Sequence, residues 1–152
     1  MSNRKLQLDQ LDTRLKNFAA LKNNMVPSTG WIKAIRSAIG MSLSQMGKRL
    51  NITKQSVQEI ETRERDGNIT IKTLREAARV LDMQLVYGFV PIDGSLEAMI
   101  DKKAKELAKK IVMRTSNSMV IEDQGNNENR LHKAIDERAE ELKRKSLKIL
   151  WD

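Results

Sequence analysis

Cysteine is absent from this 152-residue chain, so neither a disulfide nor a thiolate metal site can form. His132 is the single histidine, which excludes a multi-histidine metal site and argues against histidine-dependent catalysis. No apolar run approaches the ~18 residues that a membrane-spanning helix requires, and the N-terminal residues lack the apolar core of a signal peptide. We therefore expect a soluble, cytoplasmic protein without a membrane partner.

Recognisable arrangements of enzymatic residues are also missing from the sequence. It has no Gly-rich phosphate loop, no cluster of metal ligands and no nucleophile–base pair at a known spacing. Its two Trp, two Phe and one Tyr offer no apparent platform for stacking RNA bases. The sequence therefore predicts neither an enzyme nor a cofactor, and it gives RNA binding little support.

Positive charge is what the chain has in excess, with 28 Lys or Arg against 20 Asp or Glu and a net charge of +8. Residues 1–91 hold 15 basic against 8 acidic residues, whereas residues 92–152 hold 13 against 12. Nearly all of the excess thus lies in the first part of the chain. A surface that attracts DNA phosphates would have this distribution, although a merely solvated basic surface is an open alternative.

Residues 43–61 have the pattern of two short amphipathic helices joined by a tight turn. The first helix places apolar side chains three and four residues apart, at Leu43, Met46 and Leu50, and Ser42 precedes it as a candidate N-cap. Thr53 is a candidate N-cap for the second helix, after the pattern breaks at residues 51–52. The small Gly47 would let the second helix cross close to the first. This arrangement is a helix-turn-helix.

The second helix has an apolar side and a polar side. With Val57 and Ile60 turned inward at 100° per residue, the polar residues lie outside or flank the outer side. Gln can bond bidentately to adenine, Lys suits guanine or a phosphate, and Glu can accept from cytosine N4. We therefore predict base contacts from Lys54, Gln55, Ser56, Gln58 and Glu59.

Residues 31–91 resemble the phage-repressor and Xre class of helix-turn-helix domains. The resemblance rests on two features. The second helix begins with Lys54, Gln55 and Ser56, and Arg36 and Glu61 occupy the positions of a structural Arg–Glu pair. The resemblance implies a lambda-repressor-like five-helix bundle whose third helix enters the major groove. It also implies that Glu61 is part of the scaffold and not a reader.

Over its whole length, with RTSNSMVIEDQ at residues 114–124, the chain resembles the family named mobile mystery protein A. Members of that family typically lie beside a Fic-domain partner. The resemblance therefore implies an antitoxin-like role in a toxin–antitoxin system, with a Fic-domain toxin as a possible partner.

Residues 62–68 are strongly polar and end in turn-forming residues, so we expect a loop there. In the resembled class this loop runs beside the DNA backbone, which suggests phosphate contacts for Arg63 and Arg65. Arg63 could instead pair with Glu59 one turn earlier, in a weak exposed bond. The full set of predicted phosphate contacts is Lys33, Ser44, Thr53, Arg63, Arg65 and Lys72.

The segments that flank the bundle carry apolar residues with no evident partner. Residues 4–24 read as a helix with a narrow apolar stripe, which could fold back on its own bundle or pair with a second subunit. Residues 84–91 read as one short strand, whose pairing with its twin in a homodimer is plausible. The predicted dimer or partner contacts here are Leu8, Leu11, Leu15, Phe18 and Val86.

Two further helices are expected after the bundle. One spans residues 93–114, capped by Asp93 or Ser95, and its lysine-rich face is either solvated or an aid to DNA binding. Residues 115–127 lose the helical period and predict a loop, and the period returns in residues 128–151. Leu142 and Trp151 of this last helix are predicted to pack within a homodimer or on a different protein.

The sequence thus predicts a mainly α-helical chain in three parts: an N-terminal helix at residues 1–26, a DNA-binding domain at residues 27–91 and a helical extension at residues 92–152. The leading hypothesis is a homodimeric, sequence-specific repressor that binds a near-palindromic operator in double-stranded DNA and autoregulates a toxin–antitoxin-like operon. The alternative is an antitoxin that acts mainly by binding a Fic-type toxin through its terminal helices.

Overall fold

The computed structural model describes residues 3–24, 26–116 and 124–152, without the side chains of residues 116 and 124–127. The chain divides into two compact units. The central unit is Asn23–Gly88, and the terminal unit combines Met1–Lys22 with Phe89–Asp152. The helices in chain order are α1 (Asn3–Leu15), α2 (Trp31–Ala38), α3 (Leu43–Leu50), α4 (Lys54–Asp66), α5 (Ile71–Val80), α6 (Leu96–Ser116) and α7 (Gln124–Lys145), with 3₁₀ helices at Lys16–Leu21 and Leu147–Trp151.

The central unit packs α2, α3, α4 and α5 around one apolar core. Met46 of α3 and Val57 of α4 are completely buried at its centre. Burial of such side chains stabilises each by about 1.5–3 kcal/mol. The other buried members of this core are Ile32, Ala77, Val80 and Leu81.

The terminal unit is built on the pair α6 and α7. Ala104 and Ala108 of α6 are completely buried, and their small side chains leave room for α7 to approach closely. The buried residues of this second core are Ile100, Ala104, Ala108, Ile135, Ala139, Leu142 and Leu150.

Helix α1 belongs to the terminal unit and not to the bundle. The Asp12 carboxylate accepts from the backbone amides of Leu96 (2.7 Å) and Glu97 (3.2 Å), so it caps α6, and Ser95 Oγ accepts from the amide of Ala98 (3.0 Å). Of the two predicted caps of this helix, Ser95 is therefore used, and Asp12 was not foreseen.

The prediction of a mainly α-helical fold is confirmed, and several details within it are wrong. Residues 84–91 contain no strand, and the described residues contain none anywhere, because β-forming side chains need a neighbouring strand for their backbone hydrogen bonds. Residues 62–66 are the last turn of α4 and not a loop. The predicted N-terminal helix changes to 3₁₀ geometry after Leu15.

The prediction of a loop at residues 115–127 is wrong at both ends. Helix α6 continues to Ser116 and α7 begins at Gln124, whereas residues 117–123 lie outside the described residues. Most of the segment quoted for the resemblance to mobile mystery protein A, residues 114–124, therefore lies outside them as well.

Leu142, which was predicted to contact a partner, is buried in the core of its own terminal unit. Its position on the inner side of α7 gives it apolar neighbours within the chain, so it is not available to another protein. Leu8 likewise packs against this core, although it is only partly buried. Of the predicted partner contacts in this unit, Leu11 and Trp151 are exposed, and Leu15 and Phe18 are half-buried.

Candidate nucleic-acid interface

Helix α3 begins with a complete capping box. The amide of Gln45 donates to Ser42 Oγ (3.0 Å), and the amide of Ser42 donates to Gln45 Oε1 (2.8 Å). At its other end Asn51 takes a left-handed conformation with φ of 60°, and the amide of Ile52 donates to the carbonyl of Gly47 (2.8 Å). These bonds fix the turn between α3 and α4.

Gly47 is the residue that lets this turn lie against α3. A Cβ atom at Gly47 would stand 2.7 Å from the carbonyl oxygen of Ile52 and 3.3 Å from the carbonyl carbon of Thr53. Both atoms are backbone and cannot swing away. Glycine is therefore required by the close approach to α3 of both the turn and the start of α4, where the amide nitrogen of Lys54 would stand 3.4 Å from the same Cβ.

Helix α4 is capped at both ends. The amide of Ser56 donates to Thr53 Oγ1 (3.1 Å), and Thr53 Oγ1 in turn donates to Ser56 Oγ (3.0 Å). Gly67 closes the helix with a φ of +79°. Because the hydroxyl of Thr53 is engaged in capping, its main role in the structure is to set where α4 begins.

The two sides of α4 differ as the sequence predicts. Val57 and Glu61 are buried and Ile60 is half-buried on the inner side. The polar residues on the outer side are exposed, except Ser56, which is half-buried beside its cap. A shallow depression on this surface is lined by Gln55, Gln58, Glu59, Thr62 and Arg63.

Arg36 and Glu61 form a buried, two-pronged ion pair between α2 and α4. Arg36 Nε donates to Glu61 Oε1 (2.5 Å), Arg36 Nη2 donates to Glu61 Oε2 (3.2 Å), and Arg36 Nη1 donates to the carbonyl of Met41 (2.9 Å). The side chains are 11% and 5% exposed. This pair orients the inner side of α4 and thereby the direction in which its outer side chains project.

A second acidic residue of α4 holds the start of α2, a role that its local sequence does not predict. Gly30 precedes α2 with a φ of +86° and has no side chain with which to cap it. The Glu64 carboxylate instead accepts from the amides of Trp31 (3.0 Å) and Ile32 (2.8 Å). The sequence does contain a signal for this position: Glu64 follows the inward Val57 by seven residues, which places both side chains on the same side of a helix.

The predicted phosphate contacts are all exposed, but they do not occupy one element. Lys33 lies on α2, Lys72 lies in the first turn of α5, and Arg63 and Arg65 lie in the last turn of α4. Ser44 lies in the first turn of α3. Lys33 and Arg65 line a narrow polar crevice together with Thr29, Gln58 and Thr62.

The two arginines of α4 have weak partners within the chain. Arg63 Nη2 lies 4.0 Å from Glu59 Oε2, and both side chains are well exposed. Arg65 Nε donates to Asp66 Oδ1 (3.0 Å), and this hydrogen bond raises the pKa of Arg65 further. Exposed pairs of this kind contribute little to stability, so both guanidinium groups are free to turn toward a phosphate.

Two classes of site are not found where the structure can be described. The described residues contain no group of three or more His, Asp or Glu side chains arranged to hold a metal ion. No helix within the same residues is long and apolar enough to cross a membrane.

A family model described as helix-turn-helix matches residues 32–87 of the chain. The match begins in α2 and ends after α5, so this part of the chain is similar to Xre-like helix-turn-helix domains, a family of DNA-binding regulators. Searches of curated proteins and of solved structures found no match. The narrower resemblance to mobile mystery protein A therefore stays a prediction.

Proposed function

We propose that this chain is a sequence-specific transcriptional repressor that reads a near-palindromic operator with α4. The proposal rests on the exposed and unpaired polar side chains on the outer side of that helix. Lys54, Gln55 and Gln58 are exposed, and within the described residues none of their side-chain polar atoms has a partner. Polar groups that are already solvated and unpaired can exchange water for base edges with little rearrangement.

The chemistry of this surface suits the major groove. Gln55 and Gln58 each offer a donor and an acceptor, which suits adenine, and Lys54 suits guanine or a nearby phosphate. Glu59 can accept from cytosine N4, at the cost of its weak interaction with Arg63. Ser56 also belongs to the proposed readers, although its half-buried hydroxyl accepts a hydrogen bond from Thr53.

Backbone binding in this proposal comes from basic and hydroxyl groups around α4. Each Lys or Arg that contacts a phosphate releases condensed counterions, which makes the affinity depend on salt. Amides at the start of a helix add to this attraction where Lys72 begins α5. The proposed contacts are Lys33, Ser44, Thr53, Arg63, Arg65 and Lys72.

A homodimer completes the proposal, because one reading helix buries too little surface for tight binding. Two copies would place their α4 helices in half-sites ~34 Å apart on one side of the duplex. A repressor of this kind that binds its own upstream DNA would autoregulate its operon.

Binding to the chain's own upstream DNA tests the proposal. We expect a retarded band in gel shifts at low salt, with clear preference over a scrambled duplex of equal length. Equal affinity for both duplexes, or no retarded band, would reject sequence-specific reading.

Two substitutions distinguish recognition of DNA bases from binding to DNA phosphates. Gln55→Ala should cost roughly 1–3 kcal/mol of discrimination at one base pair, whereas Arg63→Ala should weaken all sequences alike and flatten the dependence on salt. Matched controls are Gln10→Ala and Arg114→Ala, which truncate exposed residues of the terminal unit. Loss of discrimination in the control variants would contradict the assignment.

A second candidate function is that of an antitoxin that binds a Fic-type toxin through the terminal unit. The observation that favours it is the exposure of two large apolar side chains there, Leu11 and Trp151. Deletion of the chain from Thr115 onward is not a suitable test, because α7 supplies part of the core. Co-purification with the neighbouring gene product should instead be lost in the variants Leu11→Ser and Trp151→Ser. A complex that both variants retain would reject both residues as contacts to the toxin.

A further inference from the structure

Residues 83–88, here called the post-α5 segment, leave most of their backbone unpaired. The segment follows α5 and contains neither helix nor strand. The amide of Met83 donates to the carbonyl of Ala78 (2.8 Å). From Gln84 to Gly88, no amide or carbonyl has a hydrogen-bond partner among the described residues. Backbone groups that are free in this way can pair with an added, extended chain.

An apolar groove of about 300 Å³ lies beside the post-α5 segment, within the central unit. Trp31, Ile35 and Leu74 line it from the helices, and Met83 and Val86 line it from the segment. Met83 and Val86 are 48% and 66% exposed, so the groove is open to solvent along this side. It can therefore receive apolar side chains of a bound chain.

Two arginines of α5, Arg75 and Arg79, stand beside the same segment. They line a shallow depression together with one acidic residue, Asp82. The guanidinium carbon of Arg75 lies 6.0 Å from the centroid of the Tyr87 ring, and neither arginine forms an ion pair with another described residue. The depression and the apolar groove share the lining residues Met83, Gln84 and Leu85. Apolar and positively charged surface therefore adjoin along the segment.

The surrounding charges leave this surface positive. Glu64 lines the groove, but its carboxylate is engaged by two amides at the start of α2. Lys72 and Glu76, which are exposed one turn apart on α5, offset each other. Asp82 balances only one of the two arginines. A carboxylate that is brought to this place is therefore attracted.

We propose that this surface binds an extended segment of another protein that carries both acidic and apolar side chains. The backbone of the bound segment pairs with the post-α5 segment, its apolar side chains enter the groove, and its carboxylates contact Arg75 and Arg79. Charge complementarity selects this occupant. A second copy of the chain that paired through the same segment would instead bring a second Arg75 and Arg79 to this place.

The proposed surface and the proposed DNA contact are built from different residues. The depression on the outer side of α4 shares no lining residue with the groove or with the depression beside Arg75. The inference therefore does not depend on operator reading. Because the contact is small, we expect weak, reversible binding with a Kd of roughly 10–100 µM.

Fluorescence anisotropy with the full chain and the labelled peptide DIEVDIE tests the charge requirement. The double variant Arg75→Gln with Arg79→Gln should bind the peptide at least tenfold more weakly, as should the natural chain with the neutral peptide NIQVNIQ. The matched control, Arg130→Gln with Arg144→Gln, removes two exposed arginines of the terminal unit and should bind normally. No binding of DIEVDIE below about 1 mM, or equal binding by the two double variants, would overturn the proposal.

A charge beside the groove provides the second test. Val86→Asp should weaken binding of DIEVDIE at least tenfold, because it adds a like charge where the apolar side chains enter. Ile39→Asp places the same charge on another exposed apolar residue of the central unit and should leave the affinity unchanged. Equal affinities in these two variants would reject the groove as part of the site.

Pairing through the backbone is tested on the peptide. Only alternate amides of an added strand face the neighbouring strand. Of two DIEVDIE peptides that are N-methylated at odd or at even positions, one should bind like the parent and the other at least tenfold more weakly. Equal binding of the two methylated peptides would contradict the pairing.

The same variants distinguish two other occupants. If DNA phosphates occupy the arginines, Arg75→Gln with Arg79→Gln should weaken DNA binding and leave peptide binding unchanged. If a second copy occupies the groove, sedimentation equilibrium should show a dimer that Val86→Asp dissociates. Either result would overturn the proposal.

Discussion

Removal of the Glu61 carboxylate should destabilise the central unit far more than removal of an exposed carboxylate from the same helix. Arg36 and Glu61 are almost fully buried and share two hydrogen bonds, and Arg36 has one further bond to the carbonyl of Met41. Glu61→Ala leaves the guanidinium buried without its counter-charge, which typically costs about 3–5 kcal/mol. That cost is a large fraction of the whole stability of a unit of this size.

The pair itself contributes much less than this loss suggests. Replacement of both partners by apolar residues of similar volume is often neutral or stabilising. The double variant Arg36→Met with Glu61→Leu should therefore recover most of the stability. A remaining deficit of about 1 kcal/mol is expected, since the carbonyl of Met41 loses a donor.

Urea denaturation followed by Trp31 fluorescence measures these effects in the full chain. The two tryptophans lie in different units, so the substitution Trp151→Phe leaves Trp31 as the reporter of the central unit. With a slope near 1 kcal/mol per molar urea, a loss of about 3–5 kcal/mol in Glu61→Ala should lower the midpoint by about 3–5 M. Glu59→Ala is the matched control, because it breaks an exposed pair on the same helix and should cost under about 1 kcal/mol. Equal losses in the two variants would refute the reasoning.

Three further predictions follow from single contacts. Gly47→Ala should destabilise the central unit by about 1–3 kcal/mol, because the new Cβ would meet the carbonyl oxygen of Ile52. Alanine is normally the better helix residue by about 1 kcal/mol, so a higher urea midpoint in this variant would contradict the prediction. Asp12→Ala should cost the terminal unit about 1 kcal/mol, measured by Trp151 fluorescence in a Trp31→Phe background, and Asp12→Asn should retain most of the capping. Burial lowers the pKa of Lys143, but hydrogen bonds to Asp101 and Glu140 outweigh it and raise that pKa above 10.5. Its contribution to stability is therefore complete below pH 10.5 and is lost as the pH rises through the folded-state pKa. In Lys143→Met the free energy of unfolding should therefore fall less at alkaline pH than in the natural chain. An identical dependence of unfolding free energy on pH in the two proteins would contradict this prediction.

Local patterns predicted the part of the molecule that bears the candidate interface. Ser42 and Thr53 cap their helices through amides only three residues away, and such bonds can be recognised from short-range spacing alone. The outer side of α4 follows from the same kind of pattern, because the inward position of Val57 determines where its neighbours project.

Contacts between residues far apart in the sequence leave no local pattern and could not be predicted. Glu64 caps a helix that begins 33 residues earlier, and Asp12 caps one that begins 84 residues later. Since residues 62–66 carry no apolar side chain, their continuation of α4 left no amphipathic signal. Leu142 was wrongly assigned to a partner for a different reason. An apolar stripe indicates that one side of a helix is buried, but it does not identify the element that covers that side.

The terminal unit is assembled from two stretches of chain separated by the whole of the central unit. During synthesis, residues 23–88 emerge together and can fold as soon as they leave the ribosome. Helix α1 is made first, but it must wait for α6, which follows it by more than 80 residues, before Asp12 finds its amides. A chain that ends at residue 95 should therefore have protease-resistant central helices and a cleavable N-terminal arm, so that the central unit matures before the part that joins the two ends.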